Sequence, residues 1–391
     1  MASASLISSL HRYLRRRQPA MVNLLGALVL LESPTTDKAA VTRLARFLAR
    51  LWRQRGARAR SGRVRLLHPR NAGAILRAEV FLGRGRPQGQ LLILGHLDTV
   101  YPRGTLRRMP FRVRGGRAGG PGTVDMKSGL VQALFAVEAL EALRLQPARK
   151  LVFLFTSDEE TGSAAGRPVV EREARRSRAV LVLEPASGLG GALKTARKGV
   201  GEFELVAEGR AAHAGIEPEK GVNAIEELAA QLLRVKRFTR PRQGLTLNVG
   251  VIEGGTRTNV VPERARALVD VRIARRAQGP RIERRLRALR PVHRRARLRV
   301  AGGINRPPLE RTREVARLFR QAQQLARALG VRLEEASTGG ASDGNFTAAL
   351  GVPTLDGLGG VGAGAHSPGE FVVVRRMPER AALLAGLLLT L

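Results

Sequence analysis

The chain has 391 residues, 43% of them hydrophobic, and contains no cysteine. That length is enough for two or three domains with a large core, and the missing thiols exclude disulfides, cysteine nucleophiles and thiolate metal sites. The formal charge is +36, and only seven of the 68 basic residues are lysine. Arginine falls in nearly every expected helix and loop and aromatics make up only 4%, so the charge reads as a compositional bias. It predicts incidental nucleic-acid binding at low salt and no specific nucleic-acid partner.

Residues 5 to 31 are apolar at helical spacing, and 38 to 55 form a second amphipathic helix. Strands are expected near 62–67, 74–82 and 91–95, then a loop-rich stretch with a short strand at 110–114. A helix at 126–144, a strand at 151–156, a helix at 163–175 and a strand at 179–183 follow. Strands alternating with helices imply an α/β fold, a mostly parallel mixed sheet with helices on both faces. Near residue 198 the pattern changes. Residues 201 to 209 alternate apolar and polar, as a half-exposed antiparallel strand does. A helix at 221–236, strands at 245–252 and 265–273, a helix at 280–290 and a strand at 296–300 complete a β-α-β-β-α-β order. That order matches a small ferredoxin-like α+β unit. The α/β pattern resumes after Pro307 and Pro308, with a helix at 311–329, a strand at 352–355 and a helix at 377–390. The expected division is therefore 1–197 and 307–391 for a catalytic domain, with 198–306 inserted as a lid and dimerisation domain. No apolar run is long enough for a bilayer span, so no membrane association is expected. No signal-type apolar core follows the basic run at Arg15, Arg16 and Arg17, which makes the cytoplasm the expected compartment.

Chemistry-bearing residues cluster at strand ends. Leu91-Leu-Ile-Leu-Gly-His96-Leu-Asp98 is an apolar strand running into a histidine and an aspartate, beyond the carboxyl end where open α/β sheets build their sites. An imidazole beside a carboxylate is either a metal ligand with its orienting partner or an acid/base pair. Asp125 stands at the entry of a helix, where an N-cap is the plainer reading. Asp158, Glu159 and Glu160 lie just past the strand at 151–156. Three adjacent acids repel, and a bound cation would stabilise them. Glu184 follows another apolar strand, and His366 lies in a glycine-rich loop. Together these give two histidines and three or four carboxylates on one rim, an inventory that suits two divalent ions sharing a carboxylate. Without cysteine the donors are imidazole and carboxylate, which suit zinc, manganese or cobalt.

These motifs, from Glu32-Ser33-Pro34-Thr35 to Pro368, resemble the dinuclear zinc metallopeptidase family of glutamate carboxypeptidase, acetylornithine deacetylase and succinyl-diaminopimelate desuccinylase. The glutamate carboxypeptidase branch is nearest. The resemblance implies that two divalent ions, zinc or else cobalt or manganese, are the cofactors. His96 and Glu184 would bind the first ion, Glu160 and His366 the second, and Asp125 both. Asp98 would orient His96, and Glu159 would be the general base. A Glu rather than an Asp at 184 is similar to the carboxypeptidases and deacylases. In the inserted domain, Ala212-His213-Ala214-Gly215 matches a histidine that polarises the scissile carbonyl from the partner subunit of a homodimer. Asn259 would bind the oxyanion or the substrate. Arg272 would clamp a substrate α-carboxylate. Gly339-Gly340-Ala341-Ser342-Asp343 departs slightly from the family's Gly-Gly-Thr-Asp form. The implied substrate is a small peptide or N-acyl amino acid. Three functions follow as expectations: a carboxypeptidase, a deacylase of N-acyl amino acids using the same site, and a basic nucleic-acid-binding protein on a degenerate enzyme fold.

Overall fold

A computed structural model describes residues 4–56 and 61–391. The chain divides into two compact units, one of residues 1–196, 311–338 and 342–391, the other of 197–310 and 339–341.

The first unit is built on a six-stranded sheet ordered Ser61–Leu67, Ile75–Phe81, Lys150–Thr156, Gln90–His96, Ala179–Val182 and Thr354–Leu355. The first two pairings are antiparallel, and the inner and later ones are parallel. All seven residues of Gln90–His96 are buried. The reason is visible in the packing. Leu91 and Ile93 enter the large core on one face, while Leu92 and Leu94 enter the smaller core on the other. The neighbouring strand repeats this, with Leu151, Phe153 and Phe155 on the first face and Val152 and Leu154 on the second. Covered on both faces, such strands read as continuous apolar runs. The helices Lys38–Gly56, Ser128–Ala142 and Met377–Thr390 are the largest helical contributors to the large core. Arg167–Arg175 and Gly344–Ala349 cover the opposite face. Trp52 is fully buried, its ring centroid 4.2 Å from that of Phe153.

Some boundaries differ from the sequence expectation. The stretch expected as one helix over 5–31 is two, Ala4–Arg16 and Gln18–Leu30. Pro19 lacks an N–H and is tolerated in the first turn of the second. The helix expected from 126 begins at Ser128, because Asp125 and Met126 have non-helical backbone. Two small sheets were not expected, although one of their strands, Arg112–Arg114, falls where a short strand at 110–114 was. One pairs Leu193–Arg197 with Glu335–Thr338. The other joins Arg112–Arg114 and Arg117–Gly119 to Phe371–Val373 and Gly362–Ala363. Strands of two to five residues carry little readable periodicity.

The second unit is a four-stranded antiparallel sheet ordered Thr246–Gly254, Arg264–Ile273, Gly199–Glu208 and Arg297–Arg306, with helices Ala224–Lys236 and Gln278–Arg287. Phe203, Leu205, Val269 and Val271 pack with Leu228, Ile282 and Leu286 in its core. Asn223 caps the first helix by accepting N–H bonds from Ile225 and Glu226.

Candidate metal centre

His96 ends the buried strand Gln90–His96 and is 2% exposed. Its Nδ1 lies 3.0 Å from the Asp98 carbonyl oxygen and 3.5 Å from the Asp98 carboxylate, so main chain and side chain together orient the ring. The Nε2 then faces Asp125 Oδ1 at 3.3 Å and Glu184 Oε1 at 3.4 Å. Glu184 arrives from the adjacent parallel strand end, held to this one by the Leu183 N–H to Leu94 carbonyl bond of 2.9 Å. The other half of the cluster stands on loops. His366 has φ of 62°, the left-handed region a side chain rarely adopts. Its Nε2 lies 3.2 Å from Glu160 Oε2 and 3.4 Å from Asp125 Oδ2. One carboxylate, Asp125, thus stands between two imidazoles, and each imidazole faces a second acid.

Asp98 serves the acidic turn as well. It accepts hydrogen bonds from the Thr35 hydroxyl at 2.8 Å and from the Glu159 and Glu160 N–H groups at 3.3 and 3.1 Å. Glu159 is 7% exposed and opens the short turn Glu159–Thr161. Asp158 is consumed structurally, accepting from the Ala165 and Gly166 N–H groups.

The charges in the cluster explain one another. Asp125 and Glu160 hydrogen-bond His366 and push its imidazole up to about 10. Burial opposes charging of His96, yet Asp125, Asp98 and Glu184 raise it well above the usual range. Burial would raise Asp125, but the two imidazoles hold its carboxylate far below the ordinary value. Glu160 is raised, burial being the main cause. The carboxylates favour the protonated form of both imidazoles, and cations compete with protons for such donors.

The donor set fits divalent ions. Ligands about 2.0–2.1 Å from a shared tetrahedral centre lie about 3.3 Å apart. The four imidazole-to-carboxylate separations run from 3.2 to 3.4 Å. Glu160 Oε1 is buried with no hydrogen-bond partner. Ligand atoms of His96, Asp125 and Glu160 all lie within 4.8 Å of one another.

The residues expected from the resemblance in the second unit sit within it as follows. His213 and Asn259 are exposed neighbours, the Ala214 N–H donating to the Asn259 carbonyl at 3.0 Å. His213 Nδ1 accepts the Gly215 N–H at 3.1 Å, so in the neutral ring the proton is on Nε2. Arg272 donates through Nε to Asp270 at 2.8 Å and through Nη1 to the Gly339 carbonyl at 3.2 Å. Part of its guanidinium fork is therefore already engaged.

Sequence reasoning passed over several supports in the first unit. Lys127 is buried and donates to the Leu28 and Leu31 carbonyls at 3.0 and 3.1 Å, closing the end of the helix Gln18–Leu30. Burial pushes its ammonium down to about 7. Glu32 accepts the Gly104 and Leu106 N–H groups. Glu370 is 2% exposed and accepts three backbone N–H bonds. The only sequence signal for these was an acid or lysine close to a motif, which is also what a solvated loop contains.

Acids and imidazoles gathered at the carboxyl end of a mostly parallel sheet define a metal-dependent hydrolase. The chain belongs to Peptidase family M20/M25/M40, whose model matches residues 92–390, and it is an enzyme of the metallopeptidase and amidohydrolase class. It is 30% identical over 380 residues to carboxypeptidase G2 of Pseudomonas sp. (strain RS-16), covering 96% of this chain and 90% of that one. It is 32% identical over 324 residues to succinyl-diaminopimelate desuccinylase of Dechloromonas aromatica (strain RCB), covering 78% and 84%. Among solved structures, aminopeptidase PepT from Bacillus cereus ATCC 10987 superposes with a TM-score of 0.78 at 22% identity, covering 95% of this chain and 98% of that one.

Proposed function

We propose that the enzyme is a carboxypeptidase that hydrolyses an amide bond next to a free carboxylate and releases a C-terminal amino acid, glutamate first among the candidates. The observation that carries this is Asp125 flanked by His96 and His366, each facing a second carboxylate at 3.2–3.4 Å. In this reading His96, Glu184 and Asp125 hold one divalent ion, and His366, Glu160 and Asp125 a second. Zinc suits the donors best, with cobalt and manganese as working substitutes. Such ions, when bound, acidify water and polarise a carbonyl. Glu159 accepts the proton of the attacking water and returns it to the leaving amine. Asp98 keeps the His96 ring and the acidic turn in register. His213, with its Nε2 proton, donates to the substrate carbonyl from the partner subunit of a homodimer. Asn259 assists at the oxyanion. Arg272 receives the α-carboxylate through the guanidinium nitrogens that Asp270 does not occupy.

Homodimer formation is supported by apolar side chains left open on the second unit. Val249, Val251 and Ile252 on the edge strand are 38%, 40% and 57% exposed, and Leu233 on the adjacent helix is 66% exposed. An unpaired edge strand of that kind invites pairing with another chain. The cytoplasm is the proposed compartment, since a cysteine-free chain needs no oxidising one. Among the described residues no helix is long and apolar enough to cross a membrane.

A second reading, a deacylase of N-acyl amino acids, is favoured by the desuccinylase relative and uses the same site, because its substrates also carry an α-carboxylate. The deciding experiment assays the metal-loaded protein on N-acylated and peptidyl amino acids. Preference for a peptidyl glutamate supports the carboxypeptidase, and preference for acetyl or succinyl amides supports the deacylase. Turnover unaffected by chelator, with no divalent ion retained, would remove both.

A further inference from the structure

The two halves of the metal centre differ in how they are held. His96 and Glu184 stand at the ends of hydrogen-bonded parallel strands in the middle of a sheet. Their spacing is a property of the core. His366 stands instead on a glycine-rich loop with left-handed backbone at both Gly364 and His366, and its side chain is half exposed. Asp125 stands on another loop, with left-handed Gly122 and non-helical backbone at its own position. Something has to fix these two loops relative to each other.

We infer that Glu370 is that positioning residue: its buried carboxylate fastens the loop of Asp125 to the loop of His366, and so sets the affinity of the His366–Glu160 half of the centre. Its Oε2 accepts the Gly122 N–H at 3.0 Å, and its Oε1 accepts the Val124 and Asp125 N–H groups at 2.8 and 3.0 Å. Its own carbonyl accepts the Gly120 N–H at 3.3 Å. The strand that begins at the next residue, Phe371–Val373, pairs with Arg117–Gly119, so Glu370 is the last rung of a ladder whose two strands, at that end, continue to Asp125 and to His366. On the histidine side, the Ser367 and Glu370 N–H groups close turns onto the Gly364 and Ser367 carbonyls, and the Tyr101 hydroxyl donates to the Ser367 carbonyl at 2.9 Å. Tyr101 also reaches the Glu370 carboxylate. A carboxylate accepting several backbone N–H bonds is a strong, charge-assisted anchor. Groups that hold ligands in place are worth about 10- to 100-fold in metal affinity.

This inference rests on the two-ion reading above, and the test separates the two. Full-length protein stripped of metal is titrated with Co²⁺, read by calorimetry and by the visible absorption of the bound ion. Wild type is expected to bind two equivalents. In Glu370→Gln one amide oxygen remains, but the amide NH₂ faces backbone N–H groups and at least one bond is lost. The expected result is a second equivalent weakened about 10- to 100-fold, a first equivalent within about threefold of wild type, and an altered spectrum for the second ion. Tyr101→Phe should weaken the second equivalent in the same way by a smaller factor, and it decides the matter if Glu370→Gln does not fold. Equal weakening of both equivalents, with a lowered melting temperature in the metal-free protein, would make Glu370 a general structural support and overturn the inference. So would two equivalents bound by the variants as by wild type. A wild-type protein that binds fewer than two ions overturns the two-ion reading, and this inference with it.

Discussion

The two sheets of this protein treat their side chains in opposite ways. In the first unit, Gln90–His96 is buried at every position, and the residues beyond its end are held from several directions. Asp98 alone contacts the His96 ring, the Thr35 hydroxyl and two N–H groups of the acidic turn. In the second unit, seven of the nine residues of Thr246–Gly254 are exposed; His213 is held by the N–H groups of Gly215, Ile216 and Glu217, its immediate chain neighbours, and the Asn259 carbonyl by that of Ala214. A group surrounded by fixed partners keeps its geometry whether or not substrate is present. A group on an exposed turn acquires its role only when something covers it. In the proposed reading, the chemistry that makes the nucleophile would belong with the first sheet and substrate recognition with the second.

The strongest way to break that division is at Glu159. Glu159→Gln should lower kcat by about 10²–10⁴-fold while metal content, measured by elemental analysis after dialysis, stays at the wild-type level. Loss of metal together with activity would make Glu159 a ligand instead. Next in size is the core behind the same sheet. Trp52→Ala removes a fully buried ring packed against Phe153 and should cost about 3–5 kcal/mol in denaturant unfolding. Ile252, 57% exposed on the second sheet's edge, gives the contrast. Ile252→Lys should leave chain stability within about 0.5 kcal/mol and convert the proposed dimer to a monomer in sedimentation. Unchanged sedimentation would place the subunit contact elsewhere. Arg272→Ala should lower kcat/KM by about 10- to 100-fold, the worth of a charge-assisted hydrogen bond of about 1.5–3 kcal/mol. The loss should vanish for a substrate whose carboxylate is amidated, and a loss that persisted would tie Arg272 to folding through Asp270.

The same contrast accounts for what could be read before the structure. Continuous apolar runs ending in His96, Thr156 and Leu183 announced a sheet buried on both faces, because burial on both faces leaves no polar alternation. Alternation over 201–209 announced the second sheet for the complementary reason. The acids at strand ends stood out because acids are scarce in this chain. Glu370, Glu32 and Lys127 were not legible. Each acts through main-chain partners far away in sequence, and hydrogen bonds to backbone leave no mark in the partner's residue type. Asp158 shows the opposite case. It is the first of three adjacent acids that a bound cation would stabilise, but its carboxylate turns back onto the N–H groups of Ala165 and Gly166.

The smallest expected effect tests burial directly through two ion pairs of the same sign. Glu173, 2% exposed, receives Arg77 Nε at 3.0 Å and Nη2 at 3.1 Å, and the Gln90 amide at 3.2 Å. Burial would raise its carboxyl, but the Arg77 bonds prevail and hold it below the usual 4.5. Glu253 in the second unit pairs with Arg266 at 2.8 Å, and the hydrogen bond with Arg266 lowers it too, although its side chain is 59% exposed. A carboxyl lowered in the folded state stabilises the fold above its unfolded value and loses that contribution as pH falls through the folded one. Both pairs should therefore make stability decline on the acid side of 4.5, and Glu173→Gln and Glu253→Gln should each flatten that decline. Salt separates them. At about 0.5 M the screening length falls to a few ångströms, which removes an exposed pair's contribution and leaves a buried one. Acid titrations of unfolding free energy at low and high salt should show the Glu173 difference persisting and the Glu253 difference vanishing. If both vanished, Glu173 would be in contact with water, and the sheet edge beside it would be no better shielded than the open strand of the second unit.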